Sequence, residues 1–159
     1  MPSTGHFASL PVRVLFAAAL FTASTIASAQ TPAGTVKRIE GRATLSTAAG
    51  ARQAAVGSTV FAGDRIVTES ASAVGVTLMD GTLMSVGPDS AVTMQAFQFD
   101  NTTRQGSLAV DVVKGVMRMV SGLIAKTDAR AVAIHTPTAT IGIRGTDFVV
   151  DVGEGTVTQ

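Results

Sequence analysis

The sequence predicts an all-β fold: a single domain of short antiparallel strands and hairpins, sandwich- or solenoid-like. Three observations predict it. Past residue 29 the chain holds 18 Val, 18 Thr and 6 Ile among 130 residues, but only five Leu. β-branched side chains suit a pleated surface and lose freedom in a helix. Fifteen Gly in that stretch punctuate at least eight short apolar runs. No stretch sustains three turns of the 3.6-residue apolar period of an amphipathic helix. Many short strands between Gly turns leave sandwich, barrel and solenoid open.

The strands can be placed in order. Val36–Leu45 alternates loosely and carries Gly41. Thr59–Val60 and Arg65–Thr68 flank a turn at Ala62-Gly63-Asp64. Ala73–Met79 and Thr82–Val86 flank Asp80-Gly81, and Asp-Gly between alternating apolar residues is a strong hairpin signal. Val74, Val76 and Leu78 share one face of the first arm. Gly87-Pro88-Asp89 ends the second arm, and Ala91–Phe99 is the next strand. Asp100–Gly106 is a polar loop. Leu108–Val113 and Val116–Val120 flank Lys114-Gly115. Ser121–Ala131 reads as a loop or a short helix. Ala131–His135, Thr140–Arg144 and Phe148–Val152 complete the set.

Residues 1–29 predict a secretory signal peptide. Arg13 is the positive flank, Val14–Phe21 the apolar stretch, and Ala27-Ser28-Ala29 an A-x-A cleavage site before Gln30. The apolar run has eight residues, whereas a spanning helix needs roughly 20. No Cys follows the cleavage site, which excludes a lipid anchor. The mature domain is thus expected to be residues 30–159, periplasmic or secreted. Its formal charge falls from +1 to zero, with eleven basic and eleven acidic residues.

Composition excludes several functions. Without Cys there are no disulfides, thiolate metal sites or Cys nucleophiles. A neutral domain lacks the basic field of a nucleic-acid binder. The absence of Trp and Tyr weighs against a sugar-stacking site. His135 is the only histidine of the mature chain. It reads as an edge or turn residue, with a catalytic base as the alternative. No Gly-x-Ser-x-Gly occurs, and no Ser follows His135. Asp64, Asp80, Asp89 and Asp100 adjoin turns, where Asp bonds its own backbone. No phosphate loop or calcium loop is present. No catalytic residue, metal or cofactor is therefore expected, and no enzyme activity.

One segment stands out: His135-Thr-Pro-Thr-Ala-Thr-Ile-Gly-Ile-Arg-Gly-Thr-Asp-Phe148. Arg144 interrupts an apolar run there, which is costly unless the charge is paired. Asp147, Asp64 and Asp80 are its candidate partners. Arg144 reads either as a structural clip or as a group presented to a partner or anion.

These pieces in this order resemble the FecR domain, the periplasmic part of the bacterial iron(III)-dicitrate signalling regulator. The resemblance runs over about residues 34–152. It rests on Val36–Leu45, on Val60-Phe61-Ala62-Gly63-Asp64-Arg65-Ile66-Val67-Thr68, and on the hairpin around Asp80-Gly81-Thr82. Gly87-Pro88-Asp89-Ser90 and Lys114-Gly115-Val116-Met117-Arg118 follow. Thr136-Pro137-Thr138-Ala139 and Ile143-Arg144-Gly145-Thr146-Asp147-Phe148 are the most specific pieces. The family motif positions are accordingly Gly63, Asp64, Asp80, Gly81, Thr136, Pro137, Arg144, Gly145, Thr146, Asp147 and Phe148.

The resemblance implies a non-catalytic domain that relays a signal or binds protein partners. In full regulators it follows a cytoplasmic anti-sigma region and a membrane helix. A cleavable N-terminus and a sequence ending at Gln159 depart from that plan, so neither the anti-sigma region nor the receptor-facing extension is expected here. Two functions remain: an exported protein-interaction module, or an envelope scaffold that binds a ligand such as glycan. The last strand is expected to be an exposed edge. It would serve an envelope protein partner or self-association. No transmembrane segment is expected in the mature chain.

Overall fold

A computed structural model of the chain describes residues 31–47, 50–143 and 145–153. The signal-peptide segment 1–29 and Arg144 lie outside the described residues. The described chain is almost entirely strand. In order it runs β1 (Pro32–Glu40), β2 (Ala43–Thr47), β3 (Gly50–Gln53), β4 (Thr59–Phe61), β5 (Arg65–Thr68), β6 (Ala73–Leu78), β7 (Leu83–Val86), β8 (Ala91–Phe99) and β9 (Gly106–Val120). A short helix α1 (Leu123–Thr127) and a 3-10 turn (Ala129–Ala131) follow. β10 (Val132–His135), β11 (Thr140–Gly142) and β12 (Asp147–Val152) end the chain. The strands form one sheet in the order β3-β2-β5-β8-β9-β7-β6-β1-β4. β10 and β12 also pair with β9, and β11 pairs with β10. The sheet curls into a half-barrel.

β9 explains the curl. Its first half pairs with β8 and, on its other side, with β10. Its second half pairs with β7 and, on its other side, with β12. The two wings of the sheet meet in this one strand. The chain bends at Gly115, whose φ of +81° is unfavourable for other residues. A Cβ there would sit 2.1 Å from the Ser90 hydroxyl. That hydroxyl accepts the Val116 N–H at 2.9 Å. The segments Leu108–Val113 and Val116–Val120, expected to be separated at Lys114-Gly115, are therefore one bent strand.

Other expectations are refined in similar ways. Val36–Leu45 is split at Gly41 into β1 and β2, which lie in different wings. The turn at Ala62-Gly63-Asp64 is a corner between wings: β4 pairs with β1, but β5 pairs with β2 and β8. The hairpin β6–β7 forms around Asp80-Gly81 as expected, in register Val76↔Met84. Val74, Val76 and Leu78 are all buried. β3 had no signal in the sequence, and all four of its residues are exposed. The β9–β10 pair is parallel, within an otherwise antiparallel sheet.

The core is built from rows of paired side chains that face inward. One row runs Val36–Val76–Met84–Met119–Phe148 across β1, β6, β7, β9 and β12. Another runs Met94–Val110–Ile134–Ile141 across β8, β9, β10 and β11. Val36, Val110 and Ile134 are fully buried. Burying each such side chain stabilises the fold by roughly 1.5–3 kcal/mol. The rows end at Phe148, partly buried, and at Ile141, which is 36% exposed. Both lie on strands, β12 and β11, that have a single strand partner each among the described residues.

Candidate functional site

The motif residues fall into separate junctions. Asp64 follows the corner turn and is fully buried. Its Oδ2 accepts the Phe61 N–H at 3.0 Å and the Arg52 guanidinium at 3.1 Å. Its Oδ1 has no hydrogen-bond partner among the described residues. The Gly63 N–H donates to the Met94 carbonyl at 2.6 Å, and the Asp64 carbonyl accepts the Met94 N–H at 2.8 Å. Arg52 lies opposite Leu45 on β2, so its side chain enters the inner side of the sheet edge. It also donates to the Thr59 carbonyl at 2.7 Å and lies 5.9 Å from the Phe61 ring centroid. This one arginine joins β3 to β4, the outer strands of the two wings.

Asp80 is a second junction, 1% exposed. Its Oδ1 accepts the Thr82 N–H at 3.0 Å, and its Oδ2 accepts the Thr82 hydroxyl at 2.8 Å and the Ile124 N–H at 3.4 Å. Its carbonyl accepts the Leu123 N–H at 2.9 Å. The Thr82 hydroxyl in turn accepts the Gly122 N–H at 2.9 Å. Asp80-Gly81-Thr82 therefore ties the β6–β7 hairpin to the first turn of α1. A Cβ on Gly122 would come within 2.4 Å of the Thr82 nitrogen. Gly81 turns the hairpin with a φ of +83°.

The segment 136–148 is a third region. Thr136 closes the β10–β11 turn around Pro137: its N–H donates to the Ala139 carbonyl at 2.8 Å, and its hydroxyl accepts the Ala139 N–H at 3.1 Å. The Gly145 carbonyl accepts the Ser121 hydroxyl at 3.2 Å, and the Thr146 carbonyl accepts the Ser121 N–H at 2.7 Å. Asp147 accepts two hydrogen bonds from the Arg118 guanidinium, at 2.9 and 2.6 Å. Those bonds hold the Asp147 carboxyl below its ordinary value and raise the Arg118 guanidinium. Phe148 faces the core beside Met119. The three carboxylates weighed as partners for Arg144 thus have described partners of their own: Arg52 for Asp64, Thr82 for Asp80, and Arg118 for Asp147.

His135 ends β10 beside Asp111 of β9, and its Nδ1 lies 3.0 Å from the Thr140 hydroxyl. The Asp111 carboxylate is bonded to the Gln95 amide instead. Among the described residues no group of three or more His, Asp or Glu could hold a metal. No described helix is long and apolar enough to cross a membrane. A hollow of about 450 Å³ beside α1 is lined by Gln105, Gly106, Ile124, Thr127, Asp128 and Arg130. Asp128 and Arg130 are already paired across its rim at 3.2 Å.

A different hollow lies within the segment 141–150. It measures about 230 Å³ between β11 and β12 and is lined by Ile141, Ile143, Phe148 and Val150, with Gly142, Gly145 and Asp147 at the rim. β12 pairs only with β9, and β11 only with β10, among the described residues. Val149, on the outer face of β12, is 60% exposed.

The family model for the FecR protein matches residues 64–159, more than half of the chain. The chain belongs to the FecR family. No curated protein and no solved structure gives a match. The FecR family is one of signalling-related, regulatory and non-enzymatic proteins whose domains are periplasmic. Asp64, Asp80, Thr136 and Asp147, expected as motif positions, bond strands, turns and α1 together. Arg52 and Ser90, which complete those junctions, carry no local signal as partners. Each becomes visible only when segments distant in sequence are brought together.

Proposed function

We propose that this chain is an exported, non-catalytic FecR-like domain that acts in the cell envelope as a protein-interaction or signal-relay module. In this reading residues 1–29 are a signal peptide cleaved after Ala29, and residues 30–159 are one β domain, periplasmic or secreted. The observation that carries it is the use made of the motif carboxylates. Asp64, Asp80 and Asp147 are each bonded to a backbone N–H, a hydroxyl or an arginine that fixes the fold. A catalytic pair needs two carboxylates facing a common cleft, and these three sit at separate junctions. What the fold presents instead is an apolar-lined strand edge, a surface suited to a protein.

The test is recovery of partners from a periplasmic extract with tagged residues 30–159. A stoichiometric protein partner supports the reading. Retention on peptidoglycan or polysaccharide without a protein partner favours an envelope scaffold that binds glycan. Mass measurement of the exported chain, expected to begin at Gln30, checks the export step.

A further inference from the structure

We infer that the seam between β11 and β12 is a strand-acceptor site for an extended, basic segment of a partner protein. The inference rests on the interaction-module reading and names the partner's chemistry. The two sides of the half-barrel differ. On one side the outer strands β3 and β4 are joined by Arg52, through the Thr59 carbonyl and Asp64. On the other side Ile141, Phe148 and Val150 line a hollow of about 230 Å³. Beside it β12 offers an edge of six residues, about 20 Å of backbone with no second strand partner among the described residues.

Charge selects the occupant. β12 carries Asp147 and Asp151 and no Lys or Arg. Asp147 is held by Arg118. Asp151 is exposed, and none of the described hydrogen bonds or ion pairs involves it. A second copy pairing about a two-fold centred on Val149 would set Asp147 against Asp151 of its mate, and like charges directly opposite destabilise a sheet. Centred on Val150, the two-fold would set each Asp151 against an exposed Val149. A partner strand with β-branched residues on one face and Lys or Arg on the other meets both needs. Its apolar face enters the seam, and its cation reaches Asp151. Backbone bonding supplies affinity, and alternate side chains supply selection.

The test uses the exported chain and two synthetic peptides. One is Thr-Val-Lys-Val-Thr-Val-Lys-Val-Thr; the other has Glu in place of each Lys. Light scattering and amide hydrogen exchange are measured on the free protein first. The expected result is a monomer in which the 148–152 amides that point away from β9 exchange fast, while those bonded to β9 are protected. The lysine peptide then slows the amides that point away from β9 and binds at least tenfold tighter than the glutamate peptide at low salt. Asp151→Lys, an exposed substitution, reverses that preference. Equal binding of both peptides, no binding, or binding elsewhere overturns the proposal. So does protection, in the free protein, of the 148–152 amides that point away from β9, through self-association in a dimer or through the chain's own residues in a monomer. A protein partner recovered equally by wild type and Asp151→Lys would leave the interaction-module reading standing and remove the seam from it.

Discussion

Arg52 Nη2 lies 3.1 Å from Asp64 Oδ2, an ion pair whose carboxylate side chain is fully buried and whose arginine side chain is 41% exposed. The two partners should therefore not be equivalent in stability. Asp64→Ala removes the acceptor of the Phe61 N–H and the anchor of the corner between the wings. Leaving such a group unpaired costs about 1–3 kcal/mol. Arg52→Ala leaves a fully buried carboxylate without its cation, whereas Asp64→Ala leaves a half-exposed arginine that water can solvate, so the arginine variant should lose more, about 3 kcal/mol or more. Urea unfolding of the two variants gives the comparison. An arginine variant more stable than the aspartate variant would contradict it.

Gly115 and Gly81 both have positive φ, but their surroundings differ. A Cβ on Gly115 meets the Ser90 hydroxyl, whereas one on Gly81 meets open space. Gly81→Ala should thus lose only the conformational strain, about 1–2 kcal/mol. Gly115→Ala adds a steric clash at the bend of β9, typically a further 1–3 kcal/mol. It also displaces the hydroxyl that accepts the Val116 N–H. Thermal unfolding should rank wild type above Gly81→Ala, and Gly81→Ala above Gly115→Ala. Equal melting temperatures for the two variants would mean that Ser90 gives way freely.

The same contrast shows what the sequence could reveal. The β6–β7 hairpin was legible because its turn residues and its alternation lie within one short window. Lys114-Gly115 looked like a second break of that kind. Whether a glycine reverses a strand or only bends it depends on what packs beside it, here Ser90 from the turn before β8. β3 was illegible because all of its residues are exposed, so no burial pattern marks it. Asp64 and Asp80 could be assigned to turns from their neighbours. Their partners Arg52 and Ile124 could not be assigned, since both contacts require the folded sheet.

Asp80 joins the hairpin to α1, and removing its side chain should loosen both. Asp80→Ala leaves the Thr82 N–H and hydroxyl without their buried acceptor. A loss of about 3 kcal/mol is expected from those two groups together. Asp80→Asn retains an acceptor for one of them and should lose less. Hydrogen exchange gives the more specific readout, because the Leu123 and Ile124 amides should exchange faster in Asp80→Ala, beyond the effect of global destabilisation. Unchanged relative protection at 123 and 124 would show that the Asp80 side chain is not needed to hold α1, and that Ile124 burial and the bonds of Leu123 and Gly122 to the hairpin suffice.

Arg118 and Asp147 tie β12 to β9 on the outer face, with side chains 59% and 46% exposed. The hydrogen bonds from Arg118 set the Asp147 carboxyl below its ordinary value of 3.8. A carboxyl whose pKa is lower in the folded state binds fewer protons there than in the unfolded chain. Its contribution to stability is therefore complete above the unfolded value, near pH 4. It declines as the pH falls toward the lower folded value and vanishes below it. Asp147→Asn should leave the pH dependence above about pH 5 unchanged and make the acid limb of the stability curve shallower. Because the pair is exposed, added salt should shrink the difference between the variants. Urea titrations between pH 2 and pH 7, at low and high salt, measure it. An acid limb equally steep in wild type and Asp147→Asn would show that the pair is fully screened and that β12 is held by its backbone bonds and by Phe148 and Val150.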